Sequence, residues 1–329
     1  MTKLTLPRRD FLAIAGATLA TSAFPMGRAF GAEPIKFGFQ NSSWGSLGMI
    51  ADAADTFKKA GADVKIFRFD SGKTTRDAMI SGRVDIGVIG ATPFVIGAAK
   101  GQMEAIGLAL YGAKTLAVVA GAKSGIKSIK ELKGHRVGSQ FGSATDYVFK
   151  NKILPKAGLS EKDVQMVNVR FQNHVAALAA GSIDAFAGVE PFVSVCEVNG
   201  LGKSLTDYTP YDLQPVILAA NTDLINKNRK GVVDFLRGYL AAVKIFDDNR
   251  TEATKIVLDA FAKKGFKVDE KIIKVMLSKI DVNPDFKPEL KNYLTNQSKV
   301  LMKQHKIAEI PDWNKLLNQG LLDAARAKS

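Results

Sequence analysis

The chain nearly repeats itself after about one hundred residues, and the repeated pieces are short turns rich in small and hydroxylated residues. The matched segments are FGFQ at 37–40 with VGSQ at 137–140, GRVD at 82–85 with GSID at 181–184, and TPF at 92–94 with EPF at 190–192. Offsets of 98 to 100 residues exceed the repeat of a solenoid or a propeller blade. They predict two halves built on one plan, with a cleft for a small ligand between the matching faces.

The length and composition agree with two ordered lobes. At 329 residues the chain is long for a single hydrophobic core. Hydrophobic residues make up 46% of it and charged residues 24%, with no low-complexity tract or long charge block. We therefore expect a globular protein that is ordered throughout.

The first 32 residues resemble an export signal rather than part of the fold. An arginine pair at 8–9 precedes Phe-Leu and an apolar run that ends near residue 26. This run is too short and too weakly hydrophobic for a permanent membrane anchor. The pattern predicts a twin-arginine signal peptide over 1–32, passage through the twin-arginine (Tat) export machinery, and a mature chain that begins near Glu33.

The positive charge of the chain does not indicate a nucleic-acid partner. The formal net charge is +14, and it is +11 once residues 1–32 are removed. Such a balance is found in nucleic-acid-binding proteins. However, the lysines are scattered at solvent-face spacing, without a basic stripe, an aromatic-interleaved RNA motif or a helix-turn-helix pattern. We expect no nucleic-acid partner.

From residue 35 onward, short β-type runs alternate with helical segments, which is typical of parallel α/β units. The predicted strands are 35–40, 64–69, 86–89, 136–140, 164–169, 183–189 and 215–220, and the predicted helices are 46–60, 75–81, 144–157, 175–180 and two that begin at Pro93 and at 190–191. The pattern predicts an α/β fold of two lobes.

The chain is expected to cross between the lobes twice, near 111–118 and near 206–215, which makes a double-crossover hinge. The predicted lobes are 33–118 with 213–329, and 119–212. Everything after Asn221 has a helical period, in the segments 232–246, 251–263, 270–280, 288–304 and 313–327. We expect these helices to pack around the first lobe and to contribute no site chemistry.

The repeated turns supply the candidate ligand-binding residues. Each turn lies between the end of a strand and the start of a helix, where backbone N–H groups lack partners and the helix dipole is positive. Ligands of open parallel sheets bind outside these strand ends. The candidates are Gln40, Ser43, Trp44, Thr92, Gly142, Ser143, Thr145 and Glu190. For Ser43, Thr92, Ser143 and Glu190 the alternative is that each caps its own helix.

Glu190 differs from the other candidates because a carboxylate attracts an ammonium or N–H donor and repels an anion. Its repeat counterpart, Thr92, is neutral. The pair therefore predicts a ligand with one anionic end and one donor-bearing end. Arg170, Asn173 and His174 follow another strand end. A role in the cleft is one interpretation of these residues, and a surface loop is the preferred one.

No enzyme signature or metal site is found in the sequence. The three histidines lack metal-ligand spacing, and GxSxG, phosphate-loop and GxGxxG patterns are missing. Cys196 is the single cysteine, and its surroundings predict a helix face in the core rather than a nucleophile. We expect no catalytic residues, no metal and no cofactor.

The same turns resemble those of a known family. The segments that carry the likeness are Ser71-Gly72, AMISGRVDIG at 78–87, IKSIKELKGHRVG at 126–138, Gly142-Ser143, GSIDA at 181–185 and EPF at 190–192. They are similar to the nitrate/sulfonate/taurine family of periplasmic substrate-binding proteins of ABC importers. The likeness spans about residues 35–220.

The resemblance implies a type II periplasmic binding protein that closes on a small solute and docks on a membrane permease. It implies a monomer in the periplasm, and it places the family's ligand turns on the candidates named above. Many relatives have Asp before Pro-Phe where this chain has Glu190, which is one methylene longer. This difference disfavours a simple alkanesulfonate and leaves taurine-like or nitrogen-bearing acids and aromatic carboxylates open. The family also includes binders of nitrate and of pyrimidine (thiamine-precursor) solutes, and pyrimidine-synthesising enzymes with a cysteine-rich loop.

Overall fold

The computed structural model describes residues 33–327, so the predicted signal peptide at 1–32 lies outside the described residues. The strands are β1 (Ile35–Gln40), β2 (Val64–Phe69), β3 (Ile86–Gly90), β4 (Met103–Tyr111), β5 (Leu116–Gly121), β6 (Arg136–Ser139), β7 (Gln165–Asn168), β8 (Ala185–Val189), β9 (Gly202–Asp207) and β10 (Pro215–Asn221). The helices are α1 (Ser46–Ala53), α2 (Thr56–Lys59), α3 (Gly72–Ile80), α4 (Ala91–Ala98), α5 (Ala144–Val148), α6 (Leu154–Lys156), α7 (His174–Ala179), α8 (Phe192–Val198), α9 (Thr222–Lys227), α10 (Arg229–Asp248), α11 (Arg250–Ala262), α12 (Glu270–Ser278), α13 (Glu289–Lys303), α14 (Trp313–Leu316) and α15 (Gln319–Arg326).

The strands form two sheets of the same design. The first sheet has the order β2-β1-β3-β10-β4, and the second has the order β7-β6-β8-β5-β9. In each sheet three parallel strands lie side by side, followed by one antiparallel strand, β10 or β5. The predicted α/β fold with two matching halves is confirmed.

Each antiparallel strand reaches its sheet after the chain has left the other sheet. The two passages run side by side, since the Gly112 N–H donates to the Gln214 carbonyl over 2.8 Å. The lobe boundaries at 118 and 212 stay a prediction; β5 runs across residue 118 within the second sheet. The topology thus contains the double crossover that a hinge needs.

Several elements differ from the sequence prediction. The sequence did not predict β4, β5 or β9, which lack a clear alternation of polar and apolar residues. The single helix expected over 46–60 is divided into α1 and α2, because Asp55 adopts a left-handed φ of 53°. Pro93 is the third residue of α4 and not the first. The expected helix over 144–157 contains a π-helical turn, Phe149–Ile153, and the last predicted helix is divided into α14 and α15.

One aspartate in each half fixes the repeated turn against the first strand of its sheet. The Asp85 carboxylate accepts from the Lys36 backbone N–H at 2.9 Å, and the Asp184 carboxylate accepts from the Arg136 backbone N–H at 2.9 Å. The Arg136 guanidinium also donates to Asp184, at 2.7 Å. This side-chain hydrogen bond is the main reason why the pKa of Asp184 lies below its ordinary value. The repeated sequence therefore makes the same aspartate-to-backbone hydrogen bond in each half.

The Asp184→Asn substitution should lower the free energy of unfolding by about 1.5 to 3 kcal/mol at pH 7, the usual contribution of hydrogen bonds to a charged group. Because folding lowers the pKa of this carboxyl, its stabilisation is present above about pH 4 and is lost as the pH falls through the folded-state pKa. Urea unfolding of both proteins at pH 7, and at the lowest pH at which both stay folded, measures the difference.

The matched control is Asp223→Asn, whose carboxylate pairs with Lys227 on an exposed helix surface. This change should cost less than about 1 kcal/mol. A stability difference for Asp184→Asn that keeps its size at low pH would contradict the assignment.

Candidate functional site

The carboxyl ends of all six parallel strands meet at one small cavity between the two sheets. One lining residue lies at or just after each strand end: Gln40, Ser71, Gly90, Ser143, Phe171 and Val189. The enclosed space is about 10 Å³, enough for one water molecule. Strand ends of open parallel sheets are where such folds bind ligands, so we place the candidate site here.

Larger grooves lie elsewhere on the surface. One of about 500 Å³ runs beside α1, α2 and the start of β2. It lies at the amino end of β2 rather than at the carboxyl ends where the repeated turns converge. The size of a surface groove therefore does not decide the position of the site.

The two halves touch across the cavity. The Ser43 backbone N–H donates to the Glu190 carbonyl at 3.0 Å. A Cβ added to Gly90 would lie 2.6 Å from the Ala144 Cβ, so only glycine permits this approach. The cleft is closed in this structure, with side chains filling most of it.

Trp44 forms an aromatic wall of the cavity. Its indole N–H donates to the Thr115 hydroxyl at 2.9 Å, which fixes the ring orientation. The ring lies against Gly90 and Gly112, where an added Cβ would approach ring atoms to about 3.0 and 2.9 Å. The ring therefore offers a flat apolar surface to whatever occupies the cavity.

Gln40 contributes a polar group whose orientation is fixed. Its side chain is 2% exposed. The amide nitrogen donates to the Val88 carbonyl at 2.6 Å and to the Thr75 hydroxyl at 2.7 Å. The Thr75 hydroxyl in turn donates to the Ser71 carbonyl.

The turn before α5 brings hydroxyl groups from the second half. Gly142 has a left-handed φ of 78°, which glycine adopts without strain. Ser143 caps the helix, because its hydroxyl accepts from the Asp146 N–H at 3.1 Å. Ser143 and Thr145 both line the cavity, and the Gly142 N–H donates to the Asp146 carboxylate at 3.0 Å. Capping and cavity lining therefore occur together at Ser143.

Glu190 lies beside the cavity with its carboxylate already engaged. The side chain is 1% exposed and pairs with the Lys279 ammonium at 2.5 Å. The carboxylate also accepts from the Ser194 N–H at 3.1 Å and from the Ser194 hydroxyl at 2.8 Å. In this structure its charge is balanced within the chain.

The C-terminal segment, for which the sequence predicts no site chemistry, contacts two of the candidate residues. Lys279 follows α12 and reaches Glu190 in the second half. Gln297 on α13 donates to the Thr92 hydroxyl at 2.6 Å. These contacts join residues that are 89 and 205 positions apart. No local pattern indicates a pairing at such a separation.

Four of the eight candidates line the cavity: Gln40, Trp44, Ser143 and Thr145. The other four, Ser43, Thr92, Gly142 and Glu190, lie next to lining residues and make the contacts given above. Sequence reasoning missed Ser71 and Phe171. They are one hundred residues apart and each follows a strand, so the repeat itself could have indicated them.

Of the three polar residues considered after β7, two are exposed and one is buried. Arg170 is exposed and lies 3.5 Å from Asp70, its counterpart one hundred residues earlier. Asn173 is exposed. The prediction of a surface loop is wrong for His174, which is fully buried between the Phe171 and Phe186 rings. Burial lowers the pKa of its imidazole to about 4.

The described residues contain no helix that is both long and apolar enough to cross a bilayer. Within the same residues, no three His, Cys, Asp or Glu side chains lie close enough to hold a metal ion together. Cys196 is buried on α8, and burial raises the pKa of its thiol to about 11.

The comparisons with known proteins agree with this geometry. Residues 48–253 match the family described as NMT1/THI5 like. The chain belongs to the NMT1/THI5-like family. It is 31% identical over 181 residues to the taurine-binding periplasmic protein of Escherichia coli. The aligned residues cover 54% of this chain and 55% of that protein.

Two solved structures share the fold. One is the periplasmic aliphatic sulphonate binding protein SsuA from Escherichia coli, with a TM-score of 0.73, 20% identity, and coverage of 87% of this chain and 92% of that one. The other is the alkanesulfonate-binding protein SsuA from Xanthomonas axonopodis pv. citri bound to MOPS, with a TM-score of 0.75, 20% identity, and coverage of 85% and 97%. The resemblance to periplasmic binding proteins seen in the sequence is confirmed.

In this member of the family, the Lys279→Met substitution should lower the free energy of unfolding by about 3 to 5 kcal/mol, because it leaves the buried Glu190 carboxylate without a cation. Adding Glu190→Gln should restore part of that loss. A double-mutant cycle measured by urea unfolding gives the coupling.

The control is Lys274→Met on α12, where the partner Glu270 is exposed and the pair should contribute less than about 1 kcal/mol. Additive effects of Lys279→Met and Glu190→Gln would show that the two side chains do not interact.

Proposed function

We propose that this protein is the extracytoplasmic solute-binding component of an ABC importer. It closes two lobes on a small organic anion, such as a sulfonate, a taurine-like acid or an aromatic acid, and delivers it to a membrane permease. The observation that carries the proposal is the convergence of six strand ends on one enclosed cavity between duplicated halves. The taurine-binding relative supports the choice of solute class.

The chemistry of the cavity suits a small anion. The six strand-end residues include no charged side chain, and hydroxyl groups come from Ser71, Ser143 and Thr145. Both serines cap helices, so the positive ends of α3 and α5 lie at the cavity. Trp44 supplies an apolar surface for the body of the solute.

A pyrimidine solute is the second candidate. The flat Trp44 ring favours it, because a planar heterocycle stacks on an indole face. Binding rather than catalysis is proposed in both cases. Cys196 is buried with a raised thiol pKa, which makes it a poor nucleophile.

The remaining parts of the proposal concern location and partners. A twin-arginine signal at 1–32 would deliver the folded chain to the periplasm, where it would act as a monomer and dock on its permease. No cofactor and no nucleic acid take part.

Isothermal titration calorimetry on the exported protein tests the proposal. The solutes are alkanesulfonates, taurine, aromatic sulfonates and carboxylates, nitrate and aminopyrimidines. We expect at least one to bind with a Kd in or below the micromolar range. At one hundred times its Kd it should add about 2.7 kcal/mol to the free energy of unfolding.

Two outcomes would contradict the proposal. One is that none of these solutes binds. The other is that mass spectrometry detects a product after incubation with a solute that binds, since a transport component releases its solute unchanged.

A further inference from the structure

Among the residues that line the cavity, one buried acceptor has no partner within residues 33–327. It is the amide oxygen of Gln40, whose side chain is 2% exposed. Buried polar atoms in folded proteins are nearly always hydrogen-bonded. An acceptor of this kind in a binding cavity therefore needs a donor that the chain itself does not supply.

The identity of this atom as oxygen is fixed by its surroundings. A flipped amide would place the oxygen 2.6 Å from the Val88 carbonyl oxygen, two acceptors in contact. The single proton of the Thr75 hydroxyl has an acceptor in the Ser71 carbonyl, at 3.1 Å. The amide nitrogen thus faces the first half of the protein, and the oxygen remains for the cavity that Gln40 lines.

The sequence predicts that Glu190 accepts a donor of the ligand, but its carboxylate is hydrogen-bonded within the chain. Its two carboxylate oxygens receive Lys279 and Ser194. Gln140, the repeat counterpart of Gln40, is satisfied too, because its amide oxygen accepts from the Phe171 N–H at 3.1 Å. Of these three acceptors, Gln40 alone lacks a donor.

We propose that the solute carries an N–H or O–H donor that Gln40 accepts, at the end opposite its anionic group. The class that fits is an amino- or hydroxyl-substituted acid, of which an aminosulfonate is the simplest, rather than a plain alkanesulfonate. The anionic end then faces the hydroxyls of Ser143 and Thr145 in the second half. This inference rests on the proposed function and narrows its substrate class.

Calorimetry with isosteric pairs tests the inference. Taurine is compared with propane-1-sulfonate, and sulfanilate with toluene-4-sulfonate, so that an amino group is exchanged for a methyl group. The tightest solute from the screen is compared with its own methyl analogue. We expect the donor-bearing member to bind about 10- to 100-fold tighter, because the methyl analogue leaves the Gln40 oxygen buried and unpaired.

The Gln40→Met variant should remove this preference, whereas the matched control Gln140→Met should keep it. Should Gln40→Met fail to fold, the wild-type pairs decide the question alone. Equal binding within the pairs, or a tightest solute without any donor, would overturn the inference and leave the proposed function intact. Absence of binding by every solute would instead overturn the proposed function.

Discussion

The chain passes between its two sheets twice, and the rest of the structure depends on this constraint. Because β5 begins the second sheet and β10 returns to the first, the two halves are joined by two adjacent passages of the chain rather than by a single linker. The parallel strands of both sheets then end at the same cleft. Six turns, built from a duplicated pattern, are thereby brought within contact of one small cavity. The cavity lies where open parallel sheets bind their ligands.

The parts of the fold with a local or repeated signal could be predicted from the sequence. The repeated GxxD turns correspond to Asp85 and Asp184, which make the same backbone contact in each half. The same repeat placed Gln40 and Ser143 at strand ends. It also contains the pair Ser71 and Phe171, which are not among the candidate residues.

Contacts between distant segments could not be predicted. The lysine that neutralises Glu190 comes from beyond α12, and the amide that reaches Thr92 comes from α13, without a local pattern for either. The position of His174 after a strand favours a surface loop, but the rings of Phe171 and Phe186 enclose it. A single sequence shows which residues suit a turn; it does not show which of their atoms are already paired. For this reason the proposed contact with a donor on the solute lies at Gln40 and not at Glu190.

The central claim is that two twin halves close on a shared solute, and pulsed electron paramagnetic resonance tests it directly. Spin labels are attached to cysteines introduced at Lys100 in the first half and Lys162 in the second, both exposed. The native Cys196 is buried and stays unlabelled. We predict a broad label-to-label distance distribution without solute, because the free protein opens and closes its cleft. When a solute shown to bind by calorimetry is added, we predict a single shorter distance, that of the closed form described above. An unchanged distance distribution at saturating solute would contradict the account.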